Sequence, residues 1–303
     1  MRQKHELENE LNFCYLCIPF NALNALYLLK ESVMGEKKRV LIVTQEMEPY
    51  TTLTRASRIA RKLPQYIQEN GMEIRILMPR FGMINERRYR LHEVVRLSGM
   101  NIIVDDDDYP LIIKVASLPG TRMQVYFLDN EEFFKRKEIF KNESGIPFED
   151  NADRMIFFCK GVLETVKKFG WAPNIVHCHG WMTSLIPFYL KTAYKNEPIF
   201  EKAKVIYSVY NNDFEEHLSN RFAEKASINN LEPEDLKAYQ NGKGIKLHLG
   251  AGKFSDALIL GTDDIPIKIK ENLSKLNKPL LEYTDDGEYL PAYLEFYKEI
   301  MEG

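Results

Sequence analysis

Arg39-Val-Leu-Ile-Val-Thr44 is a short, mostly apolar run, as expected of a strand that is buried on both faces of a sheet. Apolar residues then recur at helical spacing, at Ala56, Ile59, Ala60, Leu63 and Ile67. Gly71 follows where a helix C-cap glycine belongs, and Ile74-Arg-Ile-Leu-Met78 predicts the next strand. This order of strand, helix and strand predicts a βαβ unit, within which Pro64 predicts a kink or a break in the helix.

The same alternation of strands and helices continues to the end of the chain. The predicted elements are, in order, strands at Ile112–Ala116 and Gln124–Leu128, a helix from Met155 to Val166, a strand at Ile175–His177, a helix from about Thr183 to Tyr194, strands at Val205–Val209 and Ala257–Leu260, and a helix at Tyr289–Met301. Because short apolar strands alternate with helices, we predict an α/β fold with a doubly wound, Rossmann-like parallel sheet.

The composition is that of an ordinary globular protein, with 45% hydrophobic and 28% charged residues. A formal net charge of −3 gives no excess of Lys and Arg, so we predict no nucleic-acid partner. The four cysteines are too few for a disulfide scaffold, which favours a reducing compartment and a cytoplasmic protein. We predict no metal site: Cys14-x-x-Cys17 lacks a second ligand pair, and Asp105–Asp108 lacks spaced ligands and is expected to be a solvated loop.

The first 33 residues contain an apolar run, Phe13–Leu29, that needs its own interpretation. Asn21 and Asn24 interrupt this run, and acidic residues precede it where a secretory leader carries basic ones. The run is also too short to span a bilayer comfortably, so we predict no membrane partner. Because Met34 stands just before the first clear strand, residues 1–33 are expected to be an added amphipathic helix or, as we favour, the product of an overcalled start site.

Residues that directly follow the strands are the first candidates for a site, because ligands of an open parallel sheet bind at the carboxyl ends of its strands. Three such segments carry polar side chains: Glu46–Leu63, His177–Trp181 and Tyr210–Asp213. The sequence has no G-x-S-x-G motif and no G-x-x-x-x-G-K-[ST] motif. Neither a nucleophilic triad nor a phosphate-binding P-loop is therefore assigned, and the catalytic residues stay unknown.

His177 and His179 are two residues apart, so in an extended segment they project to the same side. Such a pair can bind a metal ion or clamp a substrate, but no third metal ligand is evident. For an isolated pair of this kind, a buried histidine with satisfied hydrogen bonds and a partly exposed loop histidine are more frequent than a pair of metal ligands. Trp181 can stack on a sugar face or pack between strand and helix, and the packing role is favoured.

Six segments together resemble the bacterial and plant starch/glycogen synthases that use ADP-glucose, although each segment alone is weakly specific. They are Arg39–Tyr50, Met78–Gly82, Val125–Asn130, Asp150–Arg154, Ile175–Pro187 and Gly250–Ala257. The resemblance covers about residues 38–280. It implies the N-terminal domain of a GT-B glycosyltransferase that transfers glucose from ADP-glucose to an α-1,4-glucan with retention and without a cofactor.

The resemblance also implies which residues bind substrate. Asp150, His179 and Asn211 match positions that line the family's glucosyl site, and Trp181 belongs to the same motif as His179. This motif departs from the family, since Gly180 stands where His-x-His-Asp-Trp has its aspartate. A second departure is Tyr210, which replaces the histidine of an Ile-His-Asn tripeptide.

The largest departure lies after the first strand. The family has a Lys-x-Gly-Gly-Leu-x-Asp-Val loop there, whose lysine and amides meet the donor phosphates. The matching positions in this chain are Thr52, Thr54, Arg55, Ala56 and Arg58. We expect the bulkier side chains to obstruct a phosphate unless Arg55 or Arg58 supplies a replacement charge.

The resemblance divides the chain into an extra segment (1–33), a starch-synthase-like Rossmann domain (34–280) and a C-terminal helix that packs back on the domain (281–303). The family has a second Rossmann domain, which holds the nucleotide and glucose, and we expect it to be missing because 303 residues are too few to contain it. We therefore expect a glycosyltransferase domain that is degenerate or depends on a partner. Its expected ligands are an α-glucan or a sugar nucleotide, with a protein partner at the face left open by the missing domain. The alternative is a non-catalytic regulatory subunit that binds a glucan or a protein.

Overall fold

Residues 37–211, 218–228 and 231–303 are described by the computed structural model. The chain divides into two compact units, Met1–Lys38 and Arg39–Gly303, and every element below belongs to the second. The predictions for residues 1–33, for Cys14 and Cys17, and for Asn212 and Asp213 lie outside the described residues. The proposed boundaries at 33/34 and 280/281 stay predictions.

A mixed sheet, mostly parallel, forms the centre of the second unit. Its strands are β1 (Arg39–Thr44), β2 (Glu73–Pro79), β3 (His92–Glu93), β4 (Met100–Val104), β5 (Asp107–Ser117), β6 (Gln124–Asp129), β7 (Ile175–His179), β8 (Lys204–Val209), β9 (Ala257–Leu260) and β10 (Leu280–Leu281). They lie in the order β10-β9-β8-β7-β1-β2-β6-β5-β3, with β4 paired to β5. All neighbours from β10 to β6 are parallel, whereas β5 is antiparallel to β6, β4 and β3.

The strand order reverses at β1, which confirms the predicted doubly wound sheet. The chain first adds β2 and β6 on one side of β1, and later adds β7, β8 and β9 on the other side. Val40–Val43 of β1 have no exposed surface, as expected for a strand covered on both faces. The gap between the segments that leave β1 and β7 is therefore the place where ligands of such sheets bind.

Nine helices and three 3₁₀ turns connect the strands in the described residues. The helices are α1 (Arg55–Glu69), α2 (Glu86–Tyr89), α3 (Glu131–Phe134), α4 (Asn151–Phe169), α5 (Leu185–Lys191), α6 (Phe222–Ala226), α7 (Gly244–Phe254), α8 (Ile267–Ser274) and α9 (Tyr289–Glu302), and the 3₁₀ turns are Trp181–Thr183, Pro198–Phe200 and Pro233–Gly242. None of these helices combines the length and the apolar character that a bilayer crossing requires.

Two local predictions need correction. The helix expected over 183–194 is an α-helix only from Leu185, after a 3₁₀ turn, because Pro187 has no N–H for a helical bond and is tolerated only in the first turn. The acidic run is a loop only at Asp105 and Asp106, which form the turn of the β4–β5 hairpin. Asp107 already pairs with Val104, and Asp105 takes the left-handed conformation at φ 58° that closes the turn.

The last helix, α9, is tied to the middle of the sheet. Tyr293 and Tyr297 on its inner face are buried, and the Tyr297 hydroxyl lies 2.5 Å from Nδ1 of His177 on β7. The other ring nitrogen of His177 lies 2.7 Å from Oγ of Ser208 on β8. Both nitrogens of this fully buried ring are thus satisfied, and the ring connects α9 to β7 directly and to β8 through Ser208.

We predict that Tyr297→Phe lowers the free energy of unfolding by about 1–2 kcal/mol, because it leaves a nitrogen of a buried histidine without its partner. Urea unfolding monitored by circular dichroism measures this change. Tyr66→Phe is the matched control, since the Tyr66 hydroxyl makes no hydrogen bond within the described ranges, and it should change stability by less than about 0.5 kcal/mol. Equal effects of the two changes would contradict the prediction.

A second prediction concerns pH. His248 on α7 is buried, its Nδ1 lies 2.8 Å from the Tyr207 hydroxyl, and burial lowers its pKa to about 4. The unfolded chain binds this proton near pH ~6.5, so stability is lost as the pH falls from about 6.5 towards 4. Between about pH 7.5 and pH 5, the lowered pKa of His248 should reduce the free energy of unfolding by about 2 kcal/mol.

Urea unfolding at the two pH values checks this expectation with two variants. His248→Gln keeps a hydrogen-bonding group that does not titrate and should reduce the pH-dependent loss by about 2 kcal/mol. His92→Gln changes an exposed histidine and should leave the loss as it is. The prediction is wrong if His248→Gln and the unaltered chain lose the same free energy.

Candidate functional site

The candidate site lies at the carboxyl edge of β1, β7, β8 and β9. Thr44 at the end of β1 is in register with His179 at the end of β7, which is in register with Ser208 of β8. The segments that begin at Gln45, Gly180, Tyr210 and Gly261 therefore all open at the same edge.

The His177 and His179 rings contact each other with centroids 3.8 Å apart and planes tilted by 39°, and both rings are fully buried. Nδ1 of His179 lies 2.8 Å from the Tyr210 hydroxyl, while its Nε2 has no hydrogen-bond partner among the described residues. Burial lowers the pKa of His179 to about 3 and that of His177 well below its usual value. Both rings are therefore neutral near pH 7.

A metal pair does not fit these two histidines. Both nitrogens of His177 face hydroxyl groups, which leaves only Nε2 of His179 without a partner. Nor does any group of three His, Cys, Asp or Glu side chains within the described ranges converge to hold a metal ion. The arrangement is better suited to a neutral hydrogen-bonding ligand at His179.

Glu46 organises the loop between β1 and α1. Its buried carboxylate accepts hydrogen bonds from the backbone N–H groups of Leu53 and Thr54, both at 2.8 Å, and from the Thr54 hydroxyl at 2.5 Å. Burial raises the pKa of Glu46, and these hydrogen bonds oppose the rise. Thr54 in turn caps α1 by accepting from the N–H of Ala56. The backbone amides of Leu53 and Thr54, just before α1, could otherwise bind an anion, and they are occupied by the carboxylate of Glu46.

Arg55 is engaged with the far end of the chain. Its guanidinium donates to the carbonyl oxygen of Gly261 (2.7 Å), to that of Thr284 (2.7 Å) and to the carboxylate of Asp286 (2.9 Å). The side chain is only 10% exposed. Arg58, one turn further along α1, lies 3.7 Å from the same carboxylate and is 53% exposed. Of the two predicted phosphate contacts, only Arg58 is largely open to solvent.

The other predicted substrate residues have separate surroundings. Asp150 precedes α4 and pairs with Arg136, and one of its carboxylate oxygens is buried without a partner in the described residues. Asn211 donates to Asp264 at 3.0 Å. Trp181 is 2% exposed and its ring packs 4.8 Å from that of Phe140, which supports the packing role. Roles for Asp150, His179, Trp181 and Asn211 in substrate binding stay predictions.

The substitution at Gly180 has a structural counterpart that the motif does not reveal. Gly180 has φ 83°, and a Cβ at this position would lie 2.5 Å from Oε1 of Gln45. That same oxygen accepts a hydrogen bond from the N–H of Met182. The Gln45 side chain thus fills the space into which an aspartate at position 180 would project.

The sequence placed Glu46 and Tyr210 within candidate segments without identifying their partners, and it gave no sign of the segment around Asp286. The Arg55 partners gave no local signal, since they lie 206 to 231 residues further along the chain.

Comparisons with known proteins agree with this architecture. The model of the starch synthase catalytic domain matches residues 39–261. The glycogen synthase of Chlorobium limicola is 40% identical over 174 residues, which are 57% of this chain and 36% of that protein. The glycogen synthase of Chlorobaculum tepidum is 37% identical over 227 residues, or 75% of this chain and 46% of that protein. The chain thus spans less than half the length of these curated relatives.

A solved structure supports the fold. The catalytic domain of starch synthase IV from Arabidopsis thaliana, bound to ADP and acarbose, superposes with a TM-score of 0.66 at 18% identity. The superposition covers 82% of this chain and 52% of that one, and it confirms the expected fold, that of the N-terminal domain of a GT-B protein. Since the family model matches most of the chain, this protein belongs to the starch/glycogen synthase family of glycosyltransferases.

Proposed function

We propose that this domain binds an α-1,4-glucan and that it serves glucosyl transfer from ADP-glucose only together with donor-binding groups outside the described residues. The relatives are named glycogen synthases, and the solved neighbour holds ADP and acarbose, so a glucan and a sugar nucleotide are the ligand classes to consider. A cytoplasmic location forms part of the proposal, in agreement with the free, buried thiols of Cys159 and Cys178.

The main support for the proposal is that the guanidinium of Arg55 is already hydrogen-bonded to other residues of the chain. Transfer requires positive groups directed at the departing diphosphate, and the loss of one such group typically slows a reaction by ~10²-fold or more. Arg55 stands where relatives are expected to have a loop glycine, yet its three donor nitrogens are used on Gly261, Thr284 and Asp286. Arg58 alone is a weak substitute, because it is half-exposed and already close to Asp286.

The polar groups that remain favour a sugar over a diphosphate. His179 presents a neutral ring nitrogen without a partner in the described residues, and Asp150 has a carboxylate oxygen in the same condition. Both groups can exchange hydrogen bonds with the hydroxyls of a sugar, and the Asp150 carboxylate repels a phosphate. A glucan end is therefore the ligand that this edge is best equipped to receive by itself.

The second candidate function is a non-catalytic regulatory subunit that binds a glucan or a protein. The same Arg55 contacts favour it, because they close the donor position with the chain's own residues. The two candidates differ in what a completing protein partner does: it restores glucosyl transfer in the first and does not in the second.

Calorimetric titration of the purified chain tests the proposal. We expect a maltooligosaccharide to bind at least about tenfold more tightly than ADP or ADP-glucose, since only the donor side is closed. A glucose-transfer assay on the same sample should show no product. Asn211→Ala should weaken glucan binding. Asn101→Ala should not, because Asn101 lies on β4, which pairs with β5 towards the other end of the sheet from β8 and β9.

Two results would overturn this reading. Tight ADP-glucose binding with transfer would make the chain an enzyme by itself and would assign Arg55 or Arg58 as phosphate contacts. A maltooligosaccharide that does not bind would remove the glucan from the proposal.

A further inference from the structure

Each of the three buried histidines in the described part of the chain faces a tyrosine hydroxyl with its Nδ1. The pairs are His177 with Tyr297 at 2.5 Å, His179 with Tyr210 at 2.8 Å and His248 with Tyr207 at 2.8 Å. A neutral imidazole has one N–H, and the hydrogen bond at one nitrogen decides which nitrogen carries it. The direction of each tyrosine–histidine bond therefore determines what the other ring nitrogen offers.

This direction can be assigned first at His177. Burial raises the pKa of Tyr297 well above its usual value, so the phenol keeps its hydrogen. Within the described ranges this hydroxyl has Nδ1 of His177 as its one hydrogen-bond partner, and a buried hydroxyl that does not donate loses a bond it could make with water. Tyr297 therefore donates to Nδ1. His177 then carries its hydrogen on Nε2, from which it donates to Oγ of Ser208.

The same direction follows at His179. Because Ser208 accepts from His177, its own hydrogen is available to another oxygen. Burial raises the pKa of Tyr210, and a hydrogen bond with Ser208 opposes this rise, as expected when the phenol oxygen accepts. The hydrogen of Tyr210 is then directed at Nδ1 of His179, since an imidazole nitrogen is a better acceptor than a phenol oxygen.

The Tyr210 ring is held against a glycine at the end of the neighbouring strand. A Cβ at Gly261 would overlap three carbon atoms of this ring, so the absence of a side chain there makes room for it. Tyr210 is 1% exposed, and its ring lies within 26° of the plane of the His179 ring. The departure from the Ile-His-Asn tripeptide thus brings a fixed hydroxyl to His179.

These bonds leave His179 with its hydrogen on Nε2. This N–H is buried and has no partner among the residues that the structure describes. Because it is already removed from water, a ligand oxygen that reaches it gains a hydrogen bond without further desolvation of the protein. An N–H group suits the oxygen of a hydroxyl and cannot bind a cation.

We propose that Tyr210 is a positioning residue that holds His179 in the form protonated on Nε2, so that His179 donates a hydrogen bond to a hydroxyl oxygen of the glucan. The inference rests on the proposed function, in which this edge binds a glucan. It adds the direction of the hydrogen bond and the residue that sets this direction. Tyr210 acts only through His179.

Nitrogen NMR of the chain with isotope-labelled histidine reports which nitrogen is protonated. We expect His179, assigned by the signals that His179→Gln removes, to show a protonated Nε2 and an unprotonated, hydrogen-bonded Nδ1. In Tyr210→Phe, the Nδ1 signal should shift to the position of a nitrogen without a hydrogen bond. A protonated Nδ1 in the unaltered chain would overturn the proposal.

Calorimetric titration with a maltooligosaccharide measures the effect on binding. Tyr210→Phe keeps the ring and should weaken binding about fivefold, because His179 is no longer held in the donating form. Tyr207→Phe is the matched control, since it removes a hydroxyl at the same distance from Nδ1 of another buried histidine, His248. Tyr207 and Ser208 are consecutive on β8 and lie on opposite faces of the sheet, so the control should change the affinity by less than about twofold.

His179→Gln separates positioning from a structural role. Its side-chain amide keeps an N–H group near the place of Nε2 and has no second tautomer, so Tyr210→Phe made in this chain should weaken binding by less than about twofold. A fivefold loss in both backgrounds would overturn the proposal, because Tyr210 would then act on the site without His179. An unchanged affinity of Tyr210→Phe would overturn it as well.

The two kinds of measurement keep this inference distinct from the proposed function. If the unaltered chain binds no maltooligosaccharide, the proposed function is wrong, and so is the glucan as the acceptor of this hydrogen bond. The NMR spectrum needs no ligand and decides the role of Tyr210 at His179 in either case.

Discussion

The parallel pairing of β1 with β2 on one side and β7 on the other is the constraint on which the site depends. Val40–Val43 are completely buried, and the removal of apolar surface from water, worth about 25 cal/mol per Å², holds this strand at the centre of the sheet. Because Thr44 and His179 are in register, the loops after β1 and β7 open at one edge. The contacting rings of His177 and His179, the loop held by Glu46 and the contacts of Arg55 are all positioned by that register.

The sequence predicted the parts of the fold that have local causes. Apolar runs identified β1, β7 and β8, and Gly170 identified the end of α4, where it takes the left-handed conformation at φ 62°. The start of α5 was predicted too early although Pro187 carried the necessary signal. The Arg55 contacts could not be predicted, since nothing near residue 55 indicates a partner more than 200 residues away.

The motifs of the site show how a substitution can be misjudged when it is considered alone. Gly180 in place of an aspartate suggests a lost contact, but Gln45 from the neighbouring strand end fills the same space and holds the N–H of Met182. Arg55 in place of a loop glycine suggests a gained phosphate contact, but its donors are used within the chain. In both cases the residue that determines the effect of the substitution is close in space and distant in sequence. The motif therefore shows the substitution and does not show its effect on the structure.

The anchoring of α9 determines whether the contacts of Arg55 with Thr284 and Asp286 can break without unfolding of the domain. Tyr297 is hydrogen-bonded to His177 and buried with Tyr293 against the sheet, and the hydrogen bonds of Arg55 go to other residues, namely Gly261, Thr284 and Asp286. The segment before α9 contributes mainly exposed residues, among them Asp285, Asp286 and Glu288. Because α9 is held by its own buried face, release of Asp286 costs only the contacts of one exposed carboxylate. The contact between Arg55 and Asp286 can therefore break locally while the fold is kept.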